Sequence, residues 1–289
     1  MIALQRGDMR LDLAPAIGGA ITRLSFRGRD VLRPARPDGE GPLQTSCFAM
    51  VPFANRIAHG QLPSGVCDIR LQPNLAGHPH PLHGHGWLQP WRVLSRDAAR
   101  ATLAYDHPAD DWPWAYSARQ DIELRDDGVD LTLRLTNQAR KPMPFSLGFH
   151  PYFPRTPATR LRASVAGVWL CDSSLIPTRH AAESALLAFV EDGALAAAPD
   201  LDHCFSGWRG GFRVEQPGMT ISVTASDELR FLHLYMPRGE PFFCAEPVSA
   251  MPNAFNRQEP AELTGLRILA PGESCSVSMG FTVVLTPRA

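Results

Sequence analysis

Apolar and polar residues alternate through Val129-Asp130-Leu131-Thr132-Leu133-Arg134-Leu135-Thr136, putting four apolar side chains on one face of an extended strand. The same period of two predicts strands over 101–105, 118–124, 220–224, 231–235 and 276–285. Asp126-Asp127-Gly128 reads as a hairpin turn, Asn137 opens another, and Pro271-Gly272-Glu273 turns the chain before its last strand. With 27 prolines and 23 glycines, long helices would be interrupted repeatedly. The one helical candidate is His180 to Ala198, rich in alanine and leucine but broken at Gly193, where Asp192-Gly193 reads equally as a turn. The expected class is all-β with few, short helices.

Length adds a bound. All-β sandwiches reach about 200 to 250 residues as one unit, so the 289 residues are expected to form a single domain, 1–289. Arg33 to Pro42, rich in proline and glycine, lies too near the amino terminus to divide the chain and reads as a surface loop. A hydrophobic fraction of 44% with 20% charged residues supports an extensive core. The formal charge of -1 disfavours nucleic acid or an anionic membrane as partner, since both require a basic field, and points to a small neutral ligand. Lys141 is the only lysine, which nearly excludes Schiff-base and P-loop chemistry. Six cysteines without a C-x-x-C pair read as reduced, mostly buried thiols rather than a disulfide framework. Met1 to Ile17 carries charges throughout and shows no secretory signal, and no run approaches about 18 apolar residues, so cytoplasmic residence is expected.

Candidate chemistry lies at the edges of apolar runs. His150 follows Pro144-Phe145-Ser146-Leu147-Gly148-Phe149 and precedes Pro151, which projects its imidazole from a strand end. With a reference pKa of about 6.5 it can move a proton near neutrality with little tuning; a core histidine bonded to backbone is the plainer reading. Glu246 closes Phe242-Phe243-Cys244-Ala245 ahead of Pro247, where burial would raise its pKa and make it a better base. A carboxylate capping amides or pairing with an arginine fits the position as well. His78, His80, His83 and His85 invite a metal reading, with His83 and His85 on one face of an extended strand. Gly84 and Gly86 equally suit a loop whose backbone approaches a ligand. Arg56 presents a guanidinium fork for vicinal oxygens or for a structural salt bridge, and Asp202 reads as a sugar-hydroxyl acceptor or a turn residue. Trp87, Trp91, Trp112 and Trp114 could stack on a pyranose, although most tryptophans serve packing.

In order along the chain, Asn55-Arg56-Ile57-Ala58-His59-Gly60, Leu82-His83-Gly84, Gly148 to Phe153, Asp202-His203-Cys204-Phe205 and Glu246-Pro247 with Pro252-Asn253-Ala254-Phe255-Asn256 resemble the aldose 1-epimerase (galactose mutarotase) family. The resemblance spans most of the chain. It implies a large antiparallel β-sandwich holding a monosaccharide, hexose or pentose, with His150 as general acid and Glu246 as general base. It further implies His83 near the ring oxygen, and Arg56 and Asp202 on sugar hydroxyls, with no cofactor and no metal. Two departures stand out: His233 occupies a strand position where many relatives carry glutamine, and His85 follows Leu-His-Gly where another glycine is common. His233 is taken as a substrate-binding residue, and its presence leaves the sugar preference open. Rival readings are a noncatalytic carbohydrate-binding module on the same fold, a hexose-6-phosphate mutarotase, which needs an arginine cluster at the pocket, and a metal-dependent sugar isomerase.

Overall fold

The computed structural model describes residues 1–62 and 69–286. Two large antiparallel sheets make up most of it. One has eleven strands, in the order Ile2–Arg6, Met9–Ala14, Ala20–Phe26, Cys47–Met50, Gly148–Pro154, Phe242–Val248, Phe231–Met236, Leu201–Ser206, Gly167–Cys171 and Pro177–Ala181, with Arg29–Asp30 paired to the side of Ala20–Phe26. The other has eight, from Arg160–Ala163 through Gly211–Gln216, Met219–Ala225, Ser274–Val284, Gly128–Asn137, Tyr116–Arg125 and Arg100–His107 to Arg92–Arg96. The six strands expected from alternation are all present, each within a residue or a few of its predicted ends.

Alternation places the core. Val129, Leu131, Leu133 and Leu135 are buried while Asp130 and Arg134 face solvent, and Arg125 pairs with Gly128 across the expected hairpin turn. These side chains join Leu11, Leu24, Phe149, Phe205, Leu232, Leu234, Phe243 and Ala245 from the larger sheet in one apolar cluster. Each fully buried side chain of this size contributes about 1.5–3 kcal/mol. The larger sheet is buried on its other face too, where Phe48, Met50, Tyr152, Cys204, Phe231, Cys244 and Val248 form a second cluster. Burial on both faces explains why Gly148–Pro154 and Phe242–Val248 read as continuous apolar runs rather than alternating ones.

The expected helix over 180–198 is shorter than its composition suggests. His180 and Ala181 end a strand, Ser184 caps a helix over Ala185–Asp192 by accepting from the Leu186 amide, and Gly193 closes it in the left-handed region. A single 3-10 turn, Leu195–Ala197, follows. The segment Arg33 to Pro42 is largely the surface loop expected, exposed or half-buried over 34–41, but the Arg33 side chain at its start is buried. The five described cysteines are free and, apart from the half-buried Cys171, buried; Cys67 lies outside the described residues. No helix among the described residues is long and apolar enough to cross a membrane.

Candidate active site on the larger sheet

Period two combined with cross-strand register assembles the site. In each central strand the polar residues face away from the main core: His150 and Tyr152, Cys244 and Glu246, His233 and Tyr235, Asp202 and Cys204. Pairing sets Phe48 against His150, Glu246 against His233 and His233 against Cys204. Gly148 opposite Val248 and Tyr152 opposite Cys244 bring His150 level with Glu246. One row of side chains thus crosses five strands, with neighbours at cross-strand contact distance. The prolines after His150 and Glu246 were expected to end their strands. Both instead lie inside central strands, because the proline φ is compatible with extended chain and only the missing N–H interrupts the ladder there.

His150 Nε2 and Glu246 Oε1 are 3.3 Å apart on the floor of a cavity of about 450 Å³, which Asn55, Arg56, His83, Asp202 and His233 also line. All six predicted site residues therefore meet in one pocket. His83 is held from two sides: its amide donates to the Asn55 carbonyl at 2.9 Å, and its Nδ1 accepts from the Asn55 amide at 3.1 Å. A neutral imidazole with Nδ1 accepting carries its proton on Nε2, so His83 is a donor. Both residues adopt left-handed backbone, at φ 55° and 59°, which is uncommon outside glycine and gathers at functional sites. The Pro252–Asn256 segment is the third part of this clamp. The Asn253 amide donates to the Arg56 carbonyl at 2.7 Å, and its side-chain oxygen accepts from the Ala58 amide at 2.9 Å.

Arg56 makes a two-point contact with Asp202, at 3.2 and 2.9 Å, and His233 Nε2 lies 2.8 Å from Asp202 Oδ1. Asn55 Oδ1 accepts from both the amide and the guanidinium of Arg56. Asp202 sits within the strand Leu201–Ser206 rather than in a turn. Burial alone would raise its carboxyl, but the bond from His233 and the charge of Arg56 outweigh that and hold it well below the usual carboxylate range. For His150 the expectation of a near-reference pKa is corrected: burial, reinforced by His233, pushes it down to about 3. Burial and the nearby Asp202 push Glu246 well above the ordinary range. His83 is held neutral by burial and by His150 and Arg56. Each direction reflects the cost of charge in a low-dielectric floor, which favours a neutral imidazole on His150 and a neutral carboxyl on Glu246. Among the described residues Glu246 bonds neither an arginine nor a backbone amide, and its Oε2 has no hydrogen-bond partner.

Several candidates fall elsewhere. The four tryptophans are buried and none lines the pocket, so they pack rather than stack on a ligand. His83 and His85 do not share a face: Gly84, at φ 71°, turns the chain between them, and His85 pairs with Asp111 at 3.1 Å. At the pocket floor His150, Cys244 and Glu246 offer ligand atoms within 4.8 Å of one another, and burial pushes the Cys244 thiol up. Sequence reasoning missed Arg33. Its guanidinium lies 3.9 Å from the Tyr152 ring centre and 4.6 Å from that of Phe242, and it donates to the carbonyls of Leu43 and Thr45. Nothing in its proline- and glycine-rich surroundings signals burial.

Comparison with known proteins agrees with this architecture. The family model for aldose 1-epimerase matches residues 1–282. The chain belongs to the aldose 1-epimerase family. The uncharacterized Escherichia coli K12 protein YphB is 31% identical to this chain over 289 residues, covering 97% of each. A solved Escherichia coli K12 structure of a candidate aldose 1-epimerase superposes with a TM-score of 0.89 at 31% identity, covering 98% of both chains. A galactose mutarotase-like protein from Clostridium acetobutylicum also gives 0.89, at 20% identity over 98% of this chain and 95% of that one, which speaks for the fold alone.

Proposed function

We propose that the protein interconverts the α and β anomers of an aldose by acid and base catalysed opening and closing of the ring. The observation that carries this reading is the 3.3 Å separation of His150 Nε2 and Glu246 Oε1 on one sheet face. The ring oxygen and the anomeric hydroxyl of a pyranose are attached to the same carbon, so two groups this close can each reach one of them. Glu246 takes the anomeric proton while His150 gives one to the ring oxygen, and the C1 to ring-oxygen bond breaks without a free alkoxide. Rotation about C1–C2 and the reverse transfers then produce the other anomer.

The protonation states fit this cycle. Proton transfer in the opening step leaves a neutral imidazole and a protonated carboxyl, the pair favoured by burial. The closed sugar requires the other tautomer, one proton moved across the 3.3 Å contact. His83 Nε2–H donates to a sugar oxygen beside the reacting carbon. Arg56, Asp202 and His233 form a rigid polar wall for the hydroxyls, with residual lone pairs on Asp202 and the remaining guanidinium protons as contacts.

A second reading concerns the substrate. Arg33, Arg36 and Arg238 line the same pocket, and among the described residues only Arg36 of the three forms an ion pair, with Glu240 at 3.5 Å. A buried guanidinium that makes no ion pair, such as that of Arg33, favours an aldose that carries its own anionic group. One assay addresses both readings: anomer exchange followed by polarimetry or NMR on freshly dissolved glucose, galactose, arabinose, xylose, rhamnose, glucuronate and glucose 6-phosphate. Exchange above the spontaneous rate is expected. Binding of any of these without exchange would replace the enzyme with a carbohydrate-binding module, and a preference for the last two would select the anionic class.

A further inference from the structure

Behind the loop that carries His83 is a second cluster of ligating side chains, facing away from the sugar pocket. His85 Nε2 lies 3.1 Å from Asp111 Oδ1, and His107 Nε2 lies 3.0 Å from Asp110 Oδ1. One nitrogen or oxygen of each of the four residues falls within 4.8 Å of all the others. The two imidazoles stack with ring centres 4.5 Å apart, and the Trp112 amide donates to both carboxylates, at 3.2 and 2.9 Å.

Two features of this cluster go unexplained by protein contacts. His107 is 3% exposed, and its Nε2, 3.0 Å from Asp110 Oδ1, makes no hydrogen bond among the described residues. The two neighbouring carboxylates also form no ion pair with any arginine or lysine among the described residues, and besides the Trp112 amide their close contacts are with these histidines. A buried ligand nitrogen aimed at two crowded carboxylates is the surrounding a cation would complete. The His107 Nδ1, 3.1 Å from the Tyr105 hydroxyl, can donate to it and leave Nε2 as the free lone pair, the usual outer-shell arrangement of a metal-bound histidine.

We propose that His85, His107, Asp110 and Asp111 form a binding site for a divalent transition metal, with zinc the best match to two imidazoles and two carboxylates in a four-coordinate site. The ion joins the end of the strand Arg100–His107 and its following loop to the loop whose next turn holds His83. Its role is structural: it staples the sugar-binding loop from behind and takes no part at the reacting carbon. The inference is independent of the function proposed for the pocket.

The test is titration of chelator-treated full-length protein with Zn²⁺ by calorimetry and with Co²⁺ by visible absorption, alongside thermal melts. One ion per chain is expected, with a Tm raised by several degrees and, for Co²⁺, the intense visible bands of four-coordinate geometry. Because His107 is buried and its removal can unfold the protein, the diagnostic variant is the exposed-loop pair Asp110→Asn with Asp111→Asn. That variant should bind at least about 10-fold more weakly and lose the metal-dependent rise in Tm while keeping the wild-type circular dichroism. His85→Ala should behave in the same way. Absence of stoichiometric binding at 100-fold excess over about 1 μM protein, or binding that these variants leave unchanged, would overturn the proposal. The second outcome would assign the ion to other histidines such as His78 or His80.

Discussion

Replacing Glu246 by glutamine should separate chemistry from stability. The substitution keeps shape and can still face His150 Nε2, 3.3 Å away, but the amide cannot accept the anomeric proton. Loss of a positioned general base lowers the rate about 100 to 10,000-fold, equivalent to roughly 3–5 kcal/mol of transition-state stabilisation. Stability should move the other way. Glu246 has 2% of its side chain exposed, one oxygen without a partner, and a carboxyl raised by burial. A group whose folded pKa lies above its unfolded value gives its full stabilising contribution below the unfolded value, about 4.3, and loses it as pH rises through the folded value. Wild-type stability should therefore decline relative to Glu246→Gln as pH increases from about 4.3. The comparison is thermal melts of both proteins at several pH values, paired with polarimetry of freshly dissolved α-D-glucose and α-D-galactose. A variant with a rate within 10-fold of wild type would remove Glu246 from the mechanism. A Tm difference that shrank with rising pH would refute the claim that burial raises its carboxyl.

Two further substitutions probe the wall and the loop. Asp202→Asn leaves Arg56, whose side chain is 9% exposed, without its charge partner, so a loss of about 3–5 kcal/mol is expected in urea unfolding at pH 7. Since the Asp202 carboxyl is held low, its contribution is present above about pH 3.9 and fades as pH falls through the lower folded value, so the gap between the two proteins should narrow in acid. An undiminished gap at the lowest pH at which both remain folded would contradict the ion-pair account. Gly84→Ala adds a Cβ 2.3 Å from the Val51 carbonyl oxygen at a φ of +71°, costing about 1 kcal/mol or more and displacing His83. Weaker sugar binding in titration should accompany the lowered Tm; unchanged affinity would mean that His83 does not touch the ligand.

The strands and their inward faces were legible in the sequence because alternation is local: a residue's face depends only on its neighbours two positions away, as with Val129 to Leu135. The pocket was legible only in part. His150 and Glu246 stood out as polar residues in apolar runs, but their surroundings depend on a register between strands some hundred positions apart, which no local pattern encodes. Hence the histidine expected to titrate near neutrality is buried and held neutral, and Pro151 and Pro247, signals of strand ends, lie inside central strands. The burial of Arg33 beneath Tyr152 and Phe242 and the turn that parts His83 from His85 belong to tertiary structure as well. Sequence determined which side chains each strand turns to either face. Only the packed sheets decided which of them meet, and how far water is kept from the charges they carry.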